Sequence, residues 1–299
     1  MSRFVLALDA SQISQYLHCP RSWYFRYHKG LTRAGLKRTA LDKGSLVHQL
    51  CDLYYNLRAM NPGVPAMVHG TAVINLIKNW KNTFNLSKED TEFLCMRFFQ
   101  YVATYMAHDF IPVTKSGLPS VELGFSKVLH EDENVLYVVE GRIDLIADFG
   151  GFRHFVDHKT QGQAKALYQY CPQFLTYAWA TGLQRGMINY FGLQKEMTKD
   201  TFRRQAIFFP AWKLKEWERK MVAVFDSIRI DLENPDFLPF NAATMNQQSC
   251  GGAFNSAPCM FTQLCETASS AMRQSMEAQN YVIQFWKPWE VAGEASVES

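Results

Sequence analysis

The chain has 299 residues, of which 47% are hydrophobic, and its 31 Lys and Arg against 28 Asp and Glu give a formal net charge of +3. This composition is that of an ordinary globular protein with enough apolar residues for a core, in one large domain or two small ones. No apolar run is long enough to cross a bilayer, and the N-terminus lacks the apolar core of a secretory signal. We therefore expect a soluble, cytoplasmic protein with no membrane partner.

Hydrophobic periodicity predicts helices in the first third of the chain and strands after it. The predicted helices cover about residues 11–17 (capped by Ser11), a turn from Pro20, 44–57, 67–84, 88–110, 172–181, 212–232 and 266–286. The predicted strands cover about residues 121–129, 135–147, 152–158, 186–194 and 203–209. This order predicts an α/β (mixed α+β) fold with a mixed sheet flanked by helices. We expect one domain over residues 1–289 and a disordered tail at 290–299.

The segment 141–160 carries the clearest chemical signal. Asp144 lies on one apolar segment, and after the turn at Gly150-Gly151 a second apolar segment ends in Asp157-His-Lys159. A β-hairpin would bring these groups to one edge. Two carboxylates can hold a hard divalent cation, and an ammonium beside them can orient water or offset phosphate charge. A surface hairpin with solvated charges is the alternative.

Further motifs occur in a fixed order around this hairpin. They are Gly44-Ser-Leu-Val-His48, Gly141-Arg-Ile-Asp144, Asp157-His-Lys159-Thr160, Gln173-Phe-Leu-Thr-Tyr177, and cysteines towards both ends of the chain. With these motifs the chain resembles RecB-like members of the PD-(D/E)XK nuclease superfamily. The resemblance is to the iron–sulfur exonuclease subgroup, which includes the AddB nuclease domain and the CRISPR-adaptation exonucleases. It implies a restriction-endonuclease-like core over about 119–232, with a helical insertion over about 44–110.

The resemblance also implies roles for individual residues. His48, Asp144, Asp157 and the backbone carbonyl of His158 would bind the metal, and Lys159 would be the catalytic lysine. Gln173 and Tyr177 lie four apart on a predicted helix and would contact or orient the substrate. Oxygen ligands suit Mg²⁺, whereas the imidazole shifts preference towards Mn²⁺, so we expect activity with both.

Structural alternatives exist for several of these residues. His48 could be a core histidine on an apolar helix face, and Tyr177 a core aromatic. The side chain of His158 should point to the face of the strand opposite Asp157 and Lys159, which leaves it without a side-chain role. Glu122, on the strand before the hairpin, is either near the metal or a surface charge.

Cys250, Cys259 and Cys265 share one Gly- and Pro-containing segment. The resemblance implies that they join Cys19 to hold a [4Fe–4S] cluster that staples the chain ends together. A zinc tetrathiolate would use the same residues. Eight residues separate Cys250 from Cys259, a wider gap than in some members of the family. The remaining cysteines, Cys51, Cys95 and Cys171, fit buried unligated thiols.

The residues after Pro20 interleave cations and aromatics, which favours a path for nucleic acid. This group comprises Arg21, Trp23, Tyr24, Arg26, Tyr27, Lys29, Arg33, Lys37 and Arg38. The alternative is that the aromatics pack internally and the arginines are solvated.

The leading hypothesis is a metal-dependent DNA exonuclease that acts on single-stranded or frayed ends in repair, recombination or replication. The alternatives are a non-catalytic or weakly catalytic DNA-binding subunit, and a structure-specific endonuclease. Because the sequence contains no phosphate-binding Gly-x-x-x-x-Gly-Lys-Ser/Thr motif, any helicase or recombination partner would be a separate chain.

Overall fold

The computed structural model describes residues 3–35, 39–79, 86–161, 170–233, 250, 258–267 and 269–285. The predicted tail at 290–299 lies outside the described residues. The helices are α1 (Ala10–His18), α2 (Pro20–Trp23, continued by a π-helical turn over Tyr24–His28), α3 (Thr39–Met60), α4 (Ala66–Asn79), α5 (Lys88–Tyr105), α6 (Pro172–Thr181), α7 (Ala211–Glu233), α8 (Thr262–Glu266) and α9 (Ser270–Asn280). The strands are β1 (Phe4–Asp9), β2 (Leu31–Arg33), β3 (Ile111–Pro112), β4 (Thr114–Lys115), β5 (Leu118–Pro119), β6 (Val121–Glu131), β7 (Val135–Phe149), β8 (Phe152–Gln161), β9 (Arg185–Gly192), β10 (Phe202–Phe208) and β11 (Tyr281–Ile283).

A seven-stranded mixed sheet forms the centre of the fold, which confirms the predicted fold class. Its strands run in the order β1-β7-β8-β9-β10, and β3 and β6 also pair with β7. The pairs β1–β7 and β8–β9 are parallel, whereas β6–β7, β7–β8 and β9–β10 are antiparallel. Helix α6 is the crossover that the parallel pair β8–β9 requires.

The hairpin β7–β8 has the predicted two-glycine turn. Gly150 and Gly151 have φ angles of 59° and 80°, which a two-residue hairpin needs and which glycine adopts without steric cost. Pairing runs from Phe149–Phe152 as far as Leu145–Val156 and ends there.

Beyond that point the sheet forks. One side of β7 pairs with β6, while its other side pairs with β8 at Leu145–Phe149 and with β1 at Val135–Glu140. The residues Gly141–Asp144 therefore lie between two neighbouring strands. Gly141 is opposite Phe125, and a Cβ atom at this position would meet the Phe125 ring at 2.8 Å, so any other residue would require that ring to move.

Apolar side chains bury both faces of the sheet, and β8 alternates between them. Phe155 packs in the core shared with α1, α6 and α7, whereas Val156 packs in the core shared with α3, α4 and α5. The predicted helical insertion thus covers one face of the sheet. Among the described residues, no helix combines the length and apolar character needed to cross a membrane.

Several elements differ from the prediction, among them the short strands β2 to β5, which are not predicted, and α3, which begins at Thr39. Strand β1 is not predicted, and it pairs with β7 through residues more than 120 positions away. Asp9, not Ser11, caps α1, because its Oδ1 accepts hydrogen bonds from the backbone N–H groups of Ser11 at 2.6 Å and Gln12 at 2.9 Å. The predicted final helix ends at Asn280, where β11 begins and pairs antiparallel with β2.

Candidate active site

The two hairpin carboxylates lie at the fork of the sheet. Asp144 Oδ2 accepts a hydrogen bond from the backbone N–H of His158 at 2.7 Å. That bond bridges the gap between β7 and β8 where their backbone pairing has ended. Both aspartates are buried, with 8% of Asp144 and 1% of Asp157 exposed. Carboxylates so removed from water require cationic or hydrogen-bonding partners.

Helix α3 presents His48 to this point. Its Nδ1 lies 3.4 Å from Asp144 Oδ2 and 3.9 Å from Glu122 Oε1. Gly44 lies one helical turn before His48, and a Cβ atom there would come within 3.2 Å of Thr160 Oγ1. The absent side chain lets α3 approach the end of β8 closely enough for the imidazole to reach the carboxylates.

Glu122 completes a compact group of ligand atoms. Its backbone has a φ of 48°, in the left-handed region that residues other than glycine seldom adopt. This conformation directs the carboxylate inward, where Oε2 also pairs with Arg142 Nε at 2.7 Å. Among the described residues, His48, Glu122 and Asp144 form the one group of three His, Cys, Asp or Glu whose ligand atoms all lie within 4.8 Å of one another.

The sequence leaves the role of Glu122 open, as either a residue near the metal or a surface charge. An acidic residue at the start of the strand before the hairpin is the available signal, but whether its carboxylate turns inward depends on a backbone angle that the sequence does not reveal.

A second group of polar side chains lies on the α6 face of β8. Lys159 Nζ lies 3.0 Å from Asp157 Oδ1 and 2.9 Å from Oδ2, and it donates to Gln173 Oε1 at 2.9 Å. Gln173 Nε2 donates to Asp157 Oδ1 and to the hydroxyl of Tyr177, both at 3.0 Å. The structure thus brings together Asp157, Lys159, Gln173 and Tyr177, the last two from successive turns of α6.

Burial shapes the ionisation of the carboxylates. It raises the pKa of Glu122 to about 8, with the negative charge of Asp144 adding to the shift, and it raises the pKa of Asp157 to about 6 although Lys159 opposes this. Burial also acts to raise the pKa of Asp144, but His48, Lys159 and the His158 N–H together lower it. Glu122 and Asp157 thus lack enough neighbouring positive charge to offset their burial, whereas Asp144 has enough.

The donor set fits a divalent cation. One imidazole nitrogen and two carboxylate oxygens converge, and such a set suits Mn²⁺ and Mg²⁺. A dication beside His48, Glu122 and Asp144 would supply the missing positive charge. Asp157 lies outside this compact group and is tied instead to Lys159 and Gln173.

The imidazole of His158 lies on the other face of β8. It is buried against the ring of Tyr55, with the two planes 4° from parallel and their centroids 5.8 Å apart. Burial lowers its pKa to about 3, so the ring is neutral. The ring also packs edge-to-face against the ring of His48, with the centroids 6.1 Å apart, and the backbone N–H of His158 donates to Asp144.

The cysteine region comprises Cys19, Cys250, Cys259, Cys265 and helix α8. The N–H of Cys259 donates to the carbonyl of Cys250 at 3.0 Å, and Arg21 Nη1 lies 3.4 Å from the carbonyl of Cys265. Burial raises the pKa of the Cys265 thiol to about 11, and neighbouring Cys19 and Cys259 add to that shift. All seven cysteines are free thiols. Cys51 and Cys95 are buried, as expected for unligated thiols, and Cys171 is partly buried.

Much of the predicted nucleic-acid path is internal. Arg21 and Trp23 are each only 2% exposed, so the prediction that they contact nucleic acid is wrong. Lys29 pairs with Glu277 at 2.6 Å, and Arg26 donates to Thr32 and to the carbonyl of Leu31. These cations tie the N-terminal segment together and to α9. Lys37 and Arg38 lie outside the described residues.

Comparison with known proteins gives one family. The family model of the PD-(D/E)XK nuclease superfamily matches residues 7–266. No match to the chain was found among the curated proteins. Among solved structures, the crystal structure of SSO0001 aligns over 75% of this chain and 86% of its own, with 13% identity and a TM-score of 0.31.

Proposed function

The chain belongs to the PD-(D/E)XK nuclease superfamily, and from this premise we propose that it is a DNA exonuclease that degrades single-stranded or frayed ends. Membership implies a divalent-metal-dependent nuclease with DNA as its substrate. The observation that carries the proposal is the convergence of His48, Glu122 and Asp144 next to the Asp157–Lys159 pair.

We assign the metal to His48, Glu122 and Asp144, with Asp157 and the backbone carbonyl of His158 as the further ligands. Bound there, Mg²⁺ or Mn²⁺ would lower the pKa of a coordinated water and offset charge on the scissile phosphate. Glu122 is included because its carboxylate lies close to the ligand atoms of His48 and Asp144. Asp157 and His158 remain in it because β8 carries them to the same fork.

Lys159 is the catalytic lysine in this proposal. Its ammonium is held by Asp157 and Gln173, and although burial acts to lower its pKa, the charges of Asp157 and Asp144 raise it. The side chain therefore stays protonated near neutral pH. A fixed cation at the edge of the site stabilises negative charge that develops on phosphate oxygens. Gln173, braced by Tyr177, orients Lys159.

For the cysteine region we propose a [4Fe–4S] cluster held by Cys19, Cys250, Cys259 and Cys265. The thiols lie near enough to shift one another's pKa, since Cys19 and Cys250 raise that of Cys259, and Cys259 and Cys19 raise that of Cys265. A single zinc ion on the same four thiolates is the alternative. The cluster would make residues 1–289 one domain.

The proposed role is in DNA repair, recombination or replication, with a helicase or recombination protein as a possible separate partner. A non-catalytic DNA-binding subunit is the competing function, and the full set of metal-ligand candidates and Lys159 argues against it. Digestion of end-labelled linear and circular single strands separates exonuclease from endonuclease. We expect linear strands to be degraded and circles to survive, whereas cleaved circles would establish an endonuclease.

A further inference from the structure

A buried polar chain runs from His158 to Asp109 on the face of the sheet that α3, α4 and α5 cover. Asn189 is the partner of His158 in the parallel β8–β9 register, and its Nδ2 lies 2.8 Å from His158 Nδ1. The same nitrogen donates to the hydroxyl of Tyr101 at 3.0 Å, and the hydroxyls of Tyr101 and Tyr55 lie 2.7 Å apart. Tyr55 donates to Asp109 Oδ1 at 3.0 Å.

The direction of the hydrogen bonds in this chain is fixed from the Asp109 end. Asp109 can only accept, so the hydroxyl hydrogen of Tyr55 is used there and Tyr101 donates to Tyr55. Tyr101 then accepts from Asn189 and from Arg204 Nη2, each at 3.0 Å. Asn189 therefore presents its amide N–H groups, and His158 Nδ1 is the acceptor. The burial that lowers the pKa of His158 agrees with this neutral ring.

His158 needs such an anchor because its backbone stands at the fork. The backbone pairing of β7 with β8 ends at Leu145–Val156, two residues before it. The N–H and C=O of one strand residue point to the same side, so the carbonyl of His158 faces the Asp144 side, as its N–H does. On that side Asp144 replaces the missing strand. The imidazole, clamped between Asn189 and the face of Tyr55, fixes the backbone conformation at His158 and with it the direction of both groups.

We propose that Asn189 is a positioning residue for the metal centre and that it acts through His158. The inference rests on the proposed function, since it assumes that Asp144 and the His158 carbonyl bind the metal. Loss of the Asn189 hydrogen bonds would free the imidazole and let the backbone at His158 change its φ and ψ angles. The metal ligands would then no longer be held in place before the ion arrives. Groups in the next layer around metal ligands act in this way in many proteins.

The test is the affinity for Mn²⁺, measured without DNA by the electron paramagnetic resonance signal of the free ion. Asn189→Leu keeps the approximate size of the side chain and removes both hydrogen bonds. Tyr54→Phe is the matched control, because it deletes another buried hydrogen bond to Asp109, 2.8 Å long, that lies off the path to His158. Tyr101→Phe provides a milder break in the path itself.

We expect Asn189→Leu to weaken Mn²⁺ binding by about ten-fold or more. Tyr101→Phe should weaken it by about two- to five-fold, the usual effect of one hydrogen bond, and Tyr54→Phe should leave it unchanged. Cleavage by Asn189→Leu should recover at saturating Mn²⁺, as for a defect in metal binding.

Equal Mn²⁺ affinity in the wild type and all three variants would overturn the inference. If Asn189→Leu cannot be obtained folded, equal affinity in Tyr101→Phe and Tyr54→Phe overturns it as well. A wild-type protein that binds no Mn²⁺ would instead reject the proposed function, so the two failures are distinguishable.

Discussion

The candidate active site and the cysteine region differ in what holds them together. In the active site, sheet pairing, α3 and α6 place each polar group, and a chain of buried hydrogen bonds extends to Asp109. In the cysteine region, short elements meet through β2–β11 pairing and a small apolar cluster around Phe25, Phe261 and Leu264. The protein's own packing and hydrogen bonds hold the first region. The second would depend on the proposed cluster for much of its cohesion.

The largest expected effect is on the rate of DNA cleavage when charged groups of the candidate active site are replaced. Lys159→Ala and Asp157→Asn should each lower the DNA cleavage rate by about 10²–10³-fold or more, because each removes charge from the reacting centre. DNA binding should change little. Asp148→Asn is the matched control, since Asp148 is an exposed carboxylate of the same hairpin paired only with Arg153 among the described residues. Cleavage at the wild-type rate in both site variants would break the assignment.

The stability of the cysteine region should depend on the proposed cluster. Cys265→Ser should lose iron and more than about 2 kcal/mol of stability, because the binding free energy of a structural metal site is folding free energy. Iron and sulfide analysis of anaerobically purified protein, with visible absorption and thermal melting, measures this. Cys95→Ser, a buried thiol in α5, should keep its iron. Wild-type protein that contains no iron, or that is no more stable than Cys265→Ser, would contradict the cluster.

Replacing Glu122 with glutamine should weaken metal binding but stabilise the metal-free protein at higher pH. The pKa of Glu122 in the folded protein, about 8, is raised above that of an unfolded glutamate. The folded state therefore binds the extra proton between these pKa values, and metal-free wild type should lose stability as pH rises through this window. Glu122→Gln removes this contribution, so in EDTA it should become the more stable protein by about 1 kcal/mol or more towards pH 8.

The same variant should bind Mn²⁺ about ten-fold more weakly, since one carboxylate ligand is lost. Denaturation in EDTA at pH 5 and pH 8 and a Mn²⁺ titration measure both effects. If Glu122→Gln leaves both the pH dependence of stability and the Mn²⁺ affinity unchanged, Glu122 is a surface charge and not a metal ligand.

The smallest effect is expected at Gly44. Alanine there gains up to about 1 kcal/mol of helix propensity. However, its Cβ would meet Thr160 Oγ1 at 3.2 Å and push α3 away from β8. The activity of Gly44→Ala should therefore fall a few-fold with little loss of stability. Adding Thr160→Ala should restore activity, because it removes the oxygen that the new Cβ meets. Adding Thr160→Ser should not, because serine keeps that oxygen. Gly63→Ala is the control, because a Cβ at Gly63 has no neighbour within 4 Å.

The sequence predicts the parts of this protein that depend on local patterns. The hairpin follows from two apolar segments around Gly150-Gly151, and α6 follows from the periodic run after Pro172. The ordered motifs place His48, Asp144, Asp157 and Lys159 in one neighbourhood before any coordinates are known.

What the sequence does not predict depends on distant contacts or on single backbone angles. Strand β1 is a short segment whose partner lies far along the chain. The role of Glu122 depends on a left-handed φ of 48° at a residue other than glycine. Asn189 does leave a signal, since it is an amide within the buried stretch 186–192 of β9, but its hydrogen-bond partners on β8 and α5 are visible only in the fold.

DNA cleavage that depends on a divalent metal at the fork of the sheet is the main activity proposed for this protein. Its most direct test is digestion of end-labelled linear single-stranded DNA with Mn²⁺, with Mg²⁺ and with EDTA, by wild type and by Asp144→Asn. We predict cleavage by wild type with either metal, none in EDTA, and a loss of at least about 10²-fold in Asp144→Asn. Cleavage that persists in EDTA, or that Asp144→Asn retains in full, would contradict it.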